Sequence, residues 1–544
     1  MAFDRGEYAL WLGSAISRER VAALDGVLRK LIEFLRNRRS AASDCPYRCA
    51  LDLVIAKADL SAEQRAEVDF AVDSAVWPNI KLILRRLSEK YSQVLDISVQ
   101  GEAQDFLLWN AADFANTFSN QEPDAEHLCI GILVLEGVVT HLVSANWDGL
   151  LEAAIKELGH AEFIYRICVT GVDFRGPSTA ATLLKFHGCA LRAIADEATY
   201  RRLVIARYSQ LVGWGFDQAF VPMKNELTRV AAQQRTLMIG MSAQDVNIQQ
   251  IFSAARNSAT WQWQQDPAPH VFAEDAITDG QRTILRQSYG DDFHANQAAI
   301  ESRALLRAFA KPLLSALVLN ALSSKFRGLL RAIVPSNFVE ADYLELEKGL
   351  VQLRNLTAEN AGSDFAVYIR RIARHLSRVK AILQDGETSD APKIPYRAIT
   401  GRPVHLMRAD ANLAITGQRE AAYGLALVGL AERDKFWQVS LQNLTDRGGG
   451  ALRLKSTTGT SRLILVANDN VALRLFDEGA FTEDDPDVVM VHSSPIRAAM
   501  QRSPSRAIGR PGRRQAQHVD MPKLLNEATN LAELRDRFRQ GVGL

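Results

Sequence analysis

The sequence has 544 residues, of which 64 are lysine or arginine and 63 are aspartate or glutamate, so the formal net charge is +1. This balance excludes a chain-wide polycation of the kind that coats nucleic acid. Hydrophobic residues make up 47% and charged residues 23%, a composition typical of globular proteins. At about 150 residues per domain, the length favours roughly three to four domains.

Cysteine usage and hydropathy bear on the compartment. The five cysteines are too few, and odd in number, for a secreted disulfide framework, which predicts a reducing compartment such as the cytoplasm. The N-terminus lacks the basic flank of a signal peptide. The longest apolar stretch, 312–324, has 13 residues, whereas a membrane-spanning helix needs about 20. We therefore expect a soluble cytoplasmic protein that does not enter a membrane.

The first 35 residues are typical of the first unit of an α/β sheet. The apolar run 7–12 predicts a strand, and GSAIS follows it as a glycine turn. Apolar residues at helical spacing from Val21 to Leu35 then predict a helix. Residues 50–100 are also predicted to be mostly helical.

Further short apolar runs predict buried strands. They are CIGILVLEG (129–137), which continues directly into VVTHLVSAN (138–146), and then FIYRICVTG (163–171), ATLLKFHG (181–188) and TLMIGMS (236–242). Helical segments separate several of them, so the pattern favours a mostly parallel, doubly wound, Rossmann-like α/β domain over residues 1–297. Ligands bind such sheets at the carboxyl ends of the strands, where GSAIS, SANWD, FHG and GMSAQD are predicted to lie.

The second half of the chain has a different pattern. Residues 298–390 are predicted to form a helical region, and DGETSDAPKIP (385–395) at its end has the composition of a linker. Residues 396–544 mix strand-like runs with helices, which predicts a small mixed α/β region, a candidate sensor or partner-binding unit. Six arginines fall between Arg497 and Arg514. We favour a solvated loop there, and contact with phosphate or nucleic acid is the alternative.

Three stretches at predicted strand ends carry candidate chemistry. The glycine turn 12–17 lets backbone N–H groups approach a pyrophosphate, although a plain turn is the alternative. Asn146 and Asp148, in SANWDGLLE (144–152), can face one site, although Asp148 is also a normal N-cap residue. His187, in LLKFHGC (183–189), can accept a proton from a hydroxyl near pH 7, although a lone histidine is more often structural.

Together these stretches resemble the sirtuin superfamily over about residues 5–297. The family pattern is GAGxS, then T-x-N-x-D, then K-x-H-G, then G-x-S-x-x-D on a later strand, which matches IGMSAQDVNI (239–248). The resemblance implies that the phosphate and ribose loop for NAD+ consists of Gly13, Ser14, Ala15 and Ser17. It implies that the catalytic residues beside the nicotinamide ribose are Asn146 and Asp148, with His187 as the base. The adenosine half would be held by Gly240, Ser242 and Asp245.

The sequence also departs from the family pattern. Ser144 stands where the family has threonine, and Ser14 where some alignments place a glycine. Most sirtuin deacylases carry two zinc-binding CxxC pairs after the histidine motif, but no cysteine follows Cys189 here. Cys45 and Cys49 form only an early CxxxC pair, so a four-cysteine zinc site cannot be assembled. The resemblance is therefore to zinc-less bacterial SIR2-like effectors of anti-phage defence.

That resemblance implies an NAD+ glycohydrolase that cleaves NAD+ to nicotinamide and ADP-ribose and so depletes it during infection. We expect NAD+ as substrate, no metal, and control through a homo-oligomer or an activating protein partner. Two alternatives stay open: an NAD+-dependent protein deacylase or ADP-ribosyltransferase, and a non-catalytic regulator that binds NAD+ or ADP-ribose. The trigger, the oligomeric state and the role of residues 298–544 are not fixed by the sequence.

Overall fold

The computed structural model describes residues 2–259, 261–333, 335, 337–388, 395–440, 450–482, 484–496 and 516–544. The strands are β1 (Tyr8–Leu12), β2 (His141–Ser144), β3 (Tyr165–Cys168), β4 (Ala181–Lys185), β5 (Arg235–Ile239), β6 (His270–Ala273), β7 (Leu305–Leu306), β8 (Gln438–Ser440), β9 (Leu452–Lys455), β10 (Thr460–Val466), β11 (Val488–His492) and β12 (Gln517–Asp520). The helices of the N-terminal part are α1 (Leu24–Arg38), α2 (Pro46–Ala56), α3 (Ala62–Ala66), α4 (Ile80–Glu89), α5 (Tyr91–Leu95), α6 (Phe114–Phe118), α7 (Ala125–Leu135) and α8 (Leu150–Glu157).

The remaining helices alternate with the later strands and then follow them. They are α9 (Ala190–Ala195), α10 (Glu197–Tyr200), α11 (Tyr208–Gly213), α12 (Val221–Gln233), α13 (Val246–Ala255), α14 (Asp279–Tyr289), α15 (Asp291–Ala304), α16 (Ala310–Leu330), α17 (Glu340–Glu359), α18 (Phe365–Asp385), α19 (Gln418–Arg433), α20 (Asp469–Asp477), α21 (Met521–Glu527) and α22 (Leu531–Val542). Short 3-10 turns join several of these elements.

The first sheet is parallel throughout, with the strand order β3-β4-β2-β1-β5-β6-β7. Strand β1 lies at its centre, and every residue of its sequence YALWL is buried. After β1 the chain adds β2 on one side and later β5 on the other, so the order reverses at β1. The predicted doubly wound, Rossmann-like sheet is confirmed, and its switch point is the expected place for a ligand.

Helices cover both faces of this sheet. Alternate side chains of β1 enter two separate cores, with Leu10 and Leu12 in one and Ala9 and Trp11 in the other. The first core includes residues of α7, α8 and α16, and the second includes residues of α12, α13 and α14. Burial on both faces explains why the strands read as continuous apolar runs rather than as alternating ones.

The predicted strand at 129–137 is wrong, because this run belongs to helix α7. All residues of α7 are buried, so the run has no polar face from which a helical period could be read. The helix begins at a cap in which Asp124 accepts the N–H of Ala125 and the His127 ring accepts the N–H of Asp124. The predicted strands at 7–12, 163–171 and 181–188 each contain an observed strand, the one at 236–242 overlaps β5, and β2 lies within 138–146.

A helical insert, residues 24–118, separates β1 from α7. It contains α1 to α6 and has its own core, which includes Leu31, Leu51, Leu87 and Phe114. The predicted helix near Val21–Leu35 and the mostly helical segment 50–100 are confirmed.

The C-terminal half combines helices with a mixed sheet, as predicted. Its strand order is β12-β11-β10-β9-β8, with β10, β11 and β12 parallel and the other neighbours antiparallel. Because β7 (305–306) belongs to the first sheet, that sheet extends past residue 297, and the domain boundaries stay predictions. Part of the predicted linker (389–394) and all six arginines between Arg497 and Arg514 lie outside the described residues.

Helix α16 is the one helix in the described part of the chain that is long and apolar enough, by length and composition alone, to cross a bilayer. Helix α16 includes the whole of the apolar stretch 312–324 and continues beyond both of its ends. Leu314, Val318 and Leu329 of this helix are buried in a core shared with α7 and α19. This packing is that of the core helix of a globular protein.

A buried ion pair joins the first sheet's helices to the C-terminal half. Lys325 on α16 contacts the Glu136 carboxylate at 2.6 Å, and both side chains are almost fully buried. The same ammonium donates to the backbone carbonyls of Glu136 and Thr400, and the Tyr396 hydroxyl donates to Glu136 at 2.7 Å. Every group of the pair is therefore hydrogen-bonded, which is what makes burial of two charges tolerable.

We predict that Lys325→Ala destabilises the protein by about 3–5 kcal/mol, because it leaves the Glu136 carboxylate buried without a cation. The measurement is the free energy of unfolding of the full chain by chemical denaturation. Lys348→Ala is the control, because Lys348 pairs with Glu345 at an exposed helix surface and should cost less than about 1 kcal/mol. Equal unfolding midpoints for the two variants would show that the buried pair contributes no stability.

Candidate functional site

A cleft of about 740 Å³ lies at the carboxyl ends of β1, β2, β4 and β5, between the first sheet and the helical insert. Nine of the ten predicted site residues line it: Gly13, Ser14, Ser17, Asn146, Asp148, His187, Gly240, Ser242 and Asp245. The tenth, Ala15, packs directly behind the lining, where a Cβ on Gly240 would lie 2.7 Å from the Ala15 Cβ. The parallel sheet thus brings residues that are up to 232 positions apart in the sequence to one edge.

Two glycine loops form the floor of this cleft. The Gly13 N–H donates to the Ile239 carbonyl at 3.1 Å, and the Ala15 N–H donates to the Gly240 carbonyl at 3.3 Å. A Cβ on Gly13 would lie 2.1 Å from the Gly240 carbonyl oxygen, and Gly240 itself has a φ of +63°. Both positions therefore require glycine. The turn that follows is a short 3-10 segment, Ser14–Ser17, and the long helix begins only at Leu24.

The orientation of the Asn146 amide follows from its partners. Its Nδ2 donates to the Gly13 carbonyl oxygen and to Ser17 Oγ, each at 3.2 Å. Since a carbonyl can only accept, the nitrogen end of the amide is the end that faces Gly13. Its Oδ1 is buried and has no hydrogen-bond partner among the described residues. Asn146 therefore offers the cleft one buried, unsatisfied acceptor.

His127, which the sequence analysis did not single out, supports this arrangement. Its Nδ1 accepts the Asp124 N–H at 3.2 Å, so Nε2 carries the proton and donates to Ser17 Oγ at 3.2 Å. Burial lowers the pKa of His127 to about 4, although the charges of Asp148 and Asp124 oppose this shift. The ring is therefore neutral at pH 7, and it acts here as a donor rather than as a base.

Asp148 has a structural contact as well as a position in the cleft. Its Oδ1 accepts the Leu150 N–H at 3.1 Å, which is the capping contact that the sequence suggested as an alternative. Its backbone carbonyl accepts from Lys185, whose ammonium also contacts Glu152 at 2.8 Å. Lys185, the lysine of the K-x-H-G motif, therefore holds the loop at Asp148 against helix α8.

Trp147, between Asn146 and Asp148, lines the cleft and also packs against the helical insert. Its ring lies edge-on to Phe118 at 5.2 Å between centroids and 5.9 Å from Phe114. The loop therefore brings all three side chains of residues 146–148 to the cleft.

His187 lies at the end of β4 with its ring almost fully buried. Asn247 donates from Nδ2 to His187 Nε2 at 2.9 Å, and Asn247 Oδ1 accepts the Ile248 N–H at 3.0 Å. Burial lowers the pKa of His187, although the negative charge of Asp245 partly opposes the shift. The imidazole is therefore neutral at pH 7.

The helical insert closes the cleft from the other side. Tyr91, at the start of α5, donates from its hydroxyl to Asp245 at 2.9 Å. Burial and the Asp245 charge raise the pKa of Tyr91, so the phenol keeps its proton. Two cationic side chains also line the cleft, Arg18 and Arg85, and neither forms an ion pair with a described residue.

The cysteines do not gather into a site. All five are free thiols, and the described residues include no group of three or more His, Cys, Asp or Glu side chains that could hold a metal ion. The zinc-less character of the chain stays a prediction from its cysteine spacing.

A parallel sheet with a glycine-floored cleft at its switch point is the arrangement of a Rossmann-like, doubly wound α/β fold. The comparison with known families specifies it further: residues 140–290 match the model of the SIR2-like domain. The match begins just before β2 and ends after α14, so it includes Asn146, His187 and the GMSAQD loop. SIR2-like domains are generally enzymes that use NAD+. A search of the curated proteins finds no match to the chain.

We predict that His127 makes the protein less stable at mildly acidic pH. Because its pKa in the folded protein (about 4) is below the 6.5 of an unfolded chain, the unfolded chain binds more protons between these values. The contribution of the neutral ring to stability is fully present above about pH 6.5 and is lost as the pH falls toward 4. At pH 5 the loss of unfolding free energy is about 2 kcal/mol. His127→Gln, which keeps an acceptor and a donor, should lose less unfolding free energy than the parent between pH 7 and pH 5.

The control for this experiment is His294→Gln, because His294 is exposed. It should keep the parental pH dependence in the same denaturation series. A His127→Gln variant with that same dependence would mean that His127 is not held neutral by the fold.

Proposed function

We propose that this protein is an NAD+ glycohydrolase that cleaves NAD+ to nicotinamide and ADP-ribose. The observation that carries the proposal is the buried, partnerless Asn146 Oδ1 in the cleft that also contains the neutral imidazole of His187. A fixed acceptor and a neutral base are the two groups that hydrolysis at a ribosyl carbon needs.

The cleft fits a dinucleotide. Gly13 and Gly240 lie on the lining of the cleft, which supports a close approach of a pyrophosphate to the backbone of the two glycine loops. Arg18 and Arg85 line the same cleft and could each contact a phosphate. Ser14, Ser242 and Asp245 also lie on the lining, and we assign to them the contacts with the dinucleotide that the resemblance implies.

The chemistry follows from the charge that develops. Departure of nicotinamide leaves an oxocarbenium-like centre at the ribose carbon, and water then adds to that carbon. Asn146 Oδ1 can accept a hydrogen bond from a ribose hydroxyl or from that water, which orients it. His187 accepts the proton that the hydroxyl or the water gives up. Asp148 and Asp245 place negative charge in the cleft, which stabilises the cation.

One sequence feature favours hydrolysis over protein deacylation. The cysteines that would build a zinc module beside an acyl-lysine cleft are missing after Cys189. Residues 298–544 pack on the SIR2-like part through α16 and add no second copy of the first sheet. We assign to them control of the enzyme, through self-assembly or an activating partner, in a cytoplasmic role in anti-phage defence by NAD+ depletion.

We predict that the purified full-length protein, in its active state, converts NAD+ to nicotinamide and ADP-ribose without an acylated peptide. Chromatography of the products at successive times measures both. Conversion that depends on an acyl-lysine peptide, or the transfer of ADP-ribose to protein, would support the alternative enzyme class. Binding of NAD+ without turnover under every condition would support the non-catalytic regulator.

The same assay tests the two side chains. His187→Ala removes the base and Asn146→Ala removes the orienting acceptor, so each should lower turnover by about 10²–10⁴-fold. Both variants should remain folded and bind NAD+, because the glycine loops are unchanged. His294→Ala and Asn355→Ala, at exposed positions, are the matched controls and should keep parental turnover. Folded site variants with parental turnover would contradict the assignment.

We also predict that metal analysis of the purified protein finds no stoichiometric zinc, because the cysteine spacing cannot provide a four-cysteine site. Chelation should accordingly leave NAD+ cleavage unchanged. One zinc ion per chain would reopen the deacylase alternative.

A further inference from the structure

His187 has a fixed tautomer in this structure, and Asn247 is the residue that fixes it. The amide of Asn247 cannot be turned around, because its Oδ1 already accepts the backbone N–H of Ile248 at 3.0 Å. Its Nδ2 must therefore donate, and it donates to His187 Nε2 at 2.9 Å. An imidazole nitrogen that accepts a hydrogen bond carries no proton, so the proton of the neutral ring lies on Nδ1.

The surroundings hold this arrangement in place. Asn247 is fully buried near the start of α13, and His187 is 3% exposed. The His187 carbonyl accepts the Ile205 N–H at 2.9 Å, and its ring lies 4.3 Å from the Phe186 ring between centroids. The ring therefore cannot flip without disturbing packed neighbours.

We propose that Asn247 is a positioning residue that keeps Nε2 of His187 unprotonated and holds that nitrogen ready until a substrate hydroxyl takes the place of the Asn247 amide. The inference rests on the proposed NAD+ hydrolysis, in which His187 is the base. In the step itself, the hydroxyl donates to Nε2, its proton transfers to Nε2, and the imidazolium carries protons on both nitrogens. Asn247, which has donor hydrogens at Nδ2, does not take up a proton at any stage.

The chemical consequence is specific to the amide. A carboxylate at position 247 has no hydrogen to donate, so it would accept a hydrogen bond from Nε2–H and reverse the tautomer. It would also stabilise the imidazolium and raise the pKa of His187. Alanine would remove the donor but leave the Nε2 lone pair free. We therefore expect the near-isosteric change Asn247→Asp to lower NAD+ turnover more than Asn247→Ala does.

Several charged or titratable groups share the cleft with His187, and each could influence its pH dependence. They are Arg18, Asp25, Arg85, Glu89, Tyr91, Asp148 and Asp245. Asp245 already acts on His187 through its charge, while Tyr91 donates to Asp245 and not to the ring. A comparison of variants at one position leaves all these groups unchanged.

The test compares Asn247→Asp with Asn247→Ala in the full-length protein. Asn247→Asp should lower NAD+ turnover by about 10²-fold or more, with little change in KM, and shift the acid limb of the pH–rate profile to higher pH. Asn247→Ala should lower NAD+ turnover less than about 10-fold and keep the acid limb of the parental pH–rate profile. Gln250→Glu, the same charge change on α13 but away from the cleft lining, is the control and should match the parent.

A second measurement does not depend on turnover. Nitrogen-15 spectra of histidine-labelled protein, with the His187 signals assigned by their loss in His187→Ala, report which ring nitrogen carries the proton. The parent should show an unprotonated Nε2, and Asn247→Asp a protonated one. A parental protein with its proton on Nε2 would overturn the proposal even if NAD+ is cleaved.

The two measurements separate the possible failures. If no NAD+ is cleaved but the tautomers behave as stated, the proposed function fails, and only the control of the His187 tautomer by Asn247 stands. If NAD+ is cleaved and Asn247→Asp matches the parent in rate and pH profile, the positioning role fails alone. A folded Asn247→Ala variant that is as inactive as His187→Ala would also overturn the positioning role, because the free Nε2 lone pair of that variant should still be able to accept the substrate's proton.

Discussion

The constraint on which this site depends is the close approach of two backbone loops, at Gly13 after β1 and at Gly240 after β5. A single Cβ on Gly13 would meet the Gly240 carbonyl oxygen at 2.1 Å, so the loops can touch only because neither has a side chain there. That contact continues the pairing of β1 with β5 beyond the strands themselves. It also leaves the Gly13 carbonyl facing Asn146, and this carbonyl sets the orientation of the amide.

From that carbonyl a chain of hydrogen bonds runs through the buried wall of the cleft. Asn146 donates to Gly13 and Ser17, and His127 donates to Ser17 from the opposite side. Two backbone groups fix which partner donates in each of these hydrogen bonds. At one end the Gly13 carbonyl can only accept, and at the other end the Asp124 N–H can only donate. The only buried side-chain atom left without a partner among these residues is Asn146 Oδ1, so an otherwise satisfied network leaves one free acceptor on a residue that lines the cleft.

The sequence predicted the sheet and the cleft lining because both depend on local patterns. Buried parallel strands read as apolar runs, and their carboxyl ends share one edge, so motifs at strand ends must come together. The same reading failed at α7, where a fully buried helix and a buried strand have the same composition, although Asp124 before the run was a capping signal. His127, Asn247 and Tyr91 were missed because their partners lie 110, 60 and 154 residues away, and no local pattern records such contacts. Tautomers and amide orientations depend on three-dimensional partners and could not be predicted at all.

Helix α7 also connects the site with the C-terminal half. Near its first turn, His127 reaches Ser17 in the wall of the cleft. Immediately after its last turn, Glu136 holds Lys325 of α16, the Tyr396 hydroxyl and the Ile399 N–H. Eleven residues of helix span about 16 Å, and close packing on all sides prevents the helix from bending within that length. A displacement of the C-terminal half that shifted Glu136 would therefore shift His127 as well. Because His127 donates to Ser17, helix α7 is one mechanical route from residues 298–544 to the cleft, and the contacts of Lys311 on α16 with Glu19 and Asp124 are a second, shorter one.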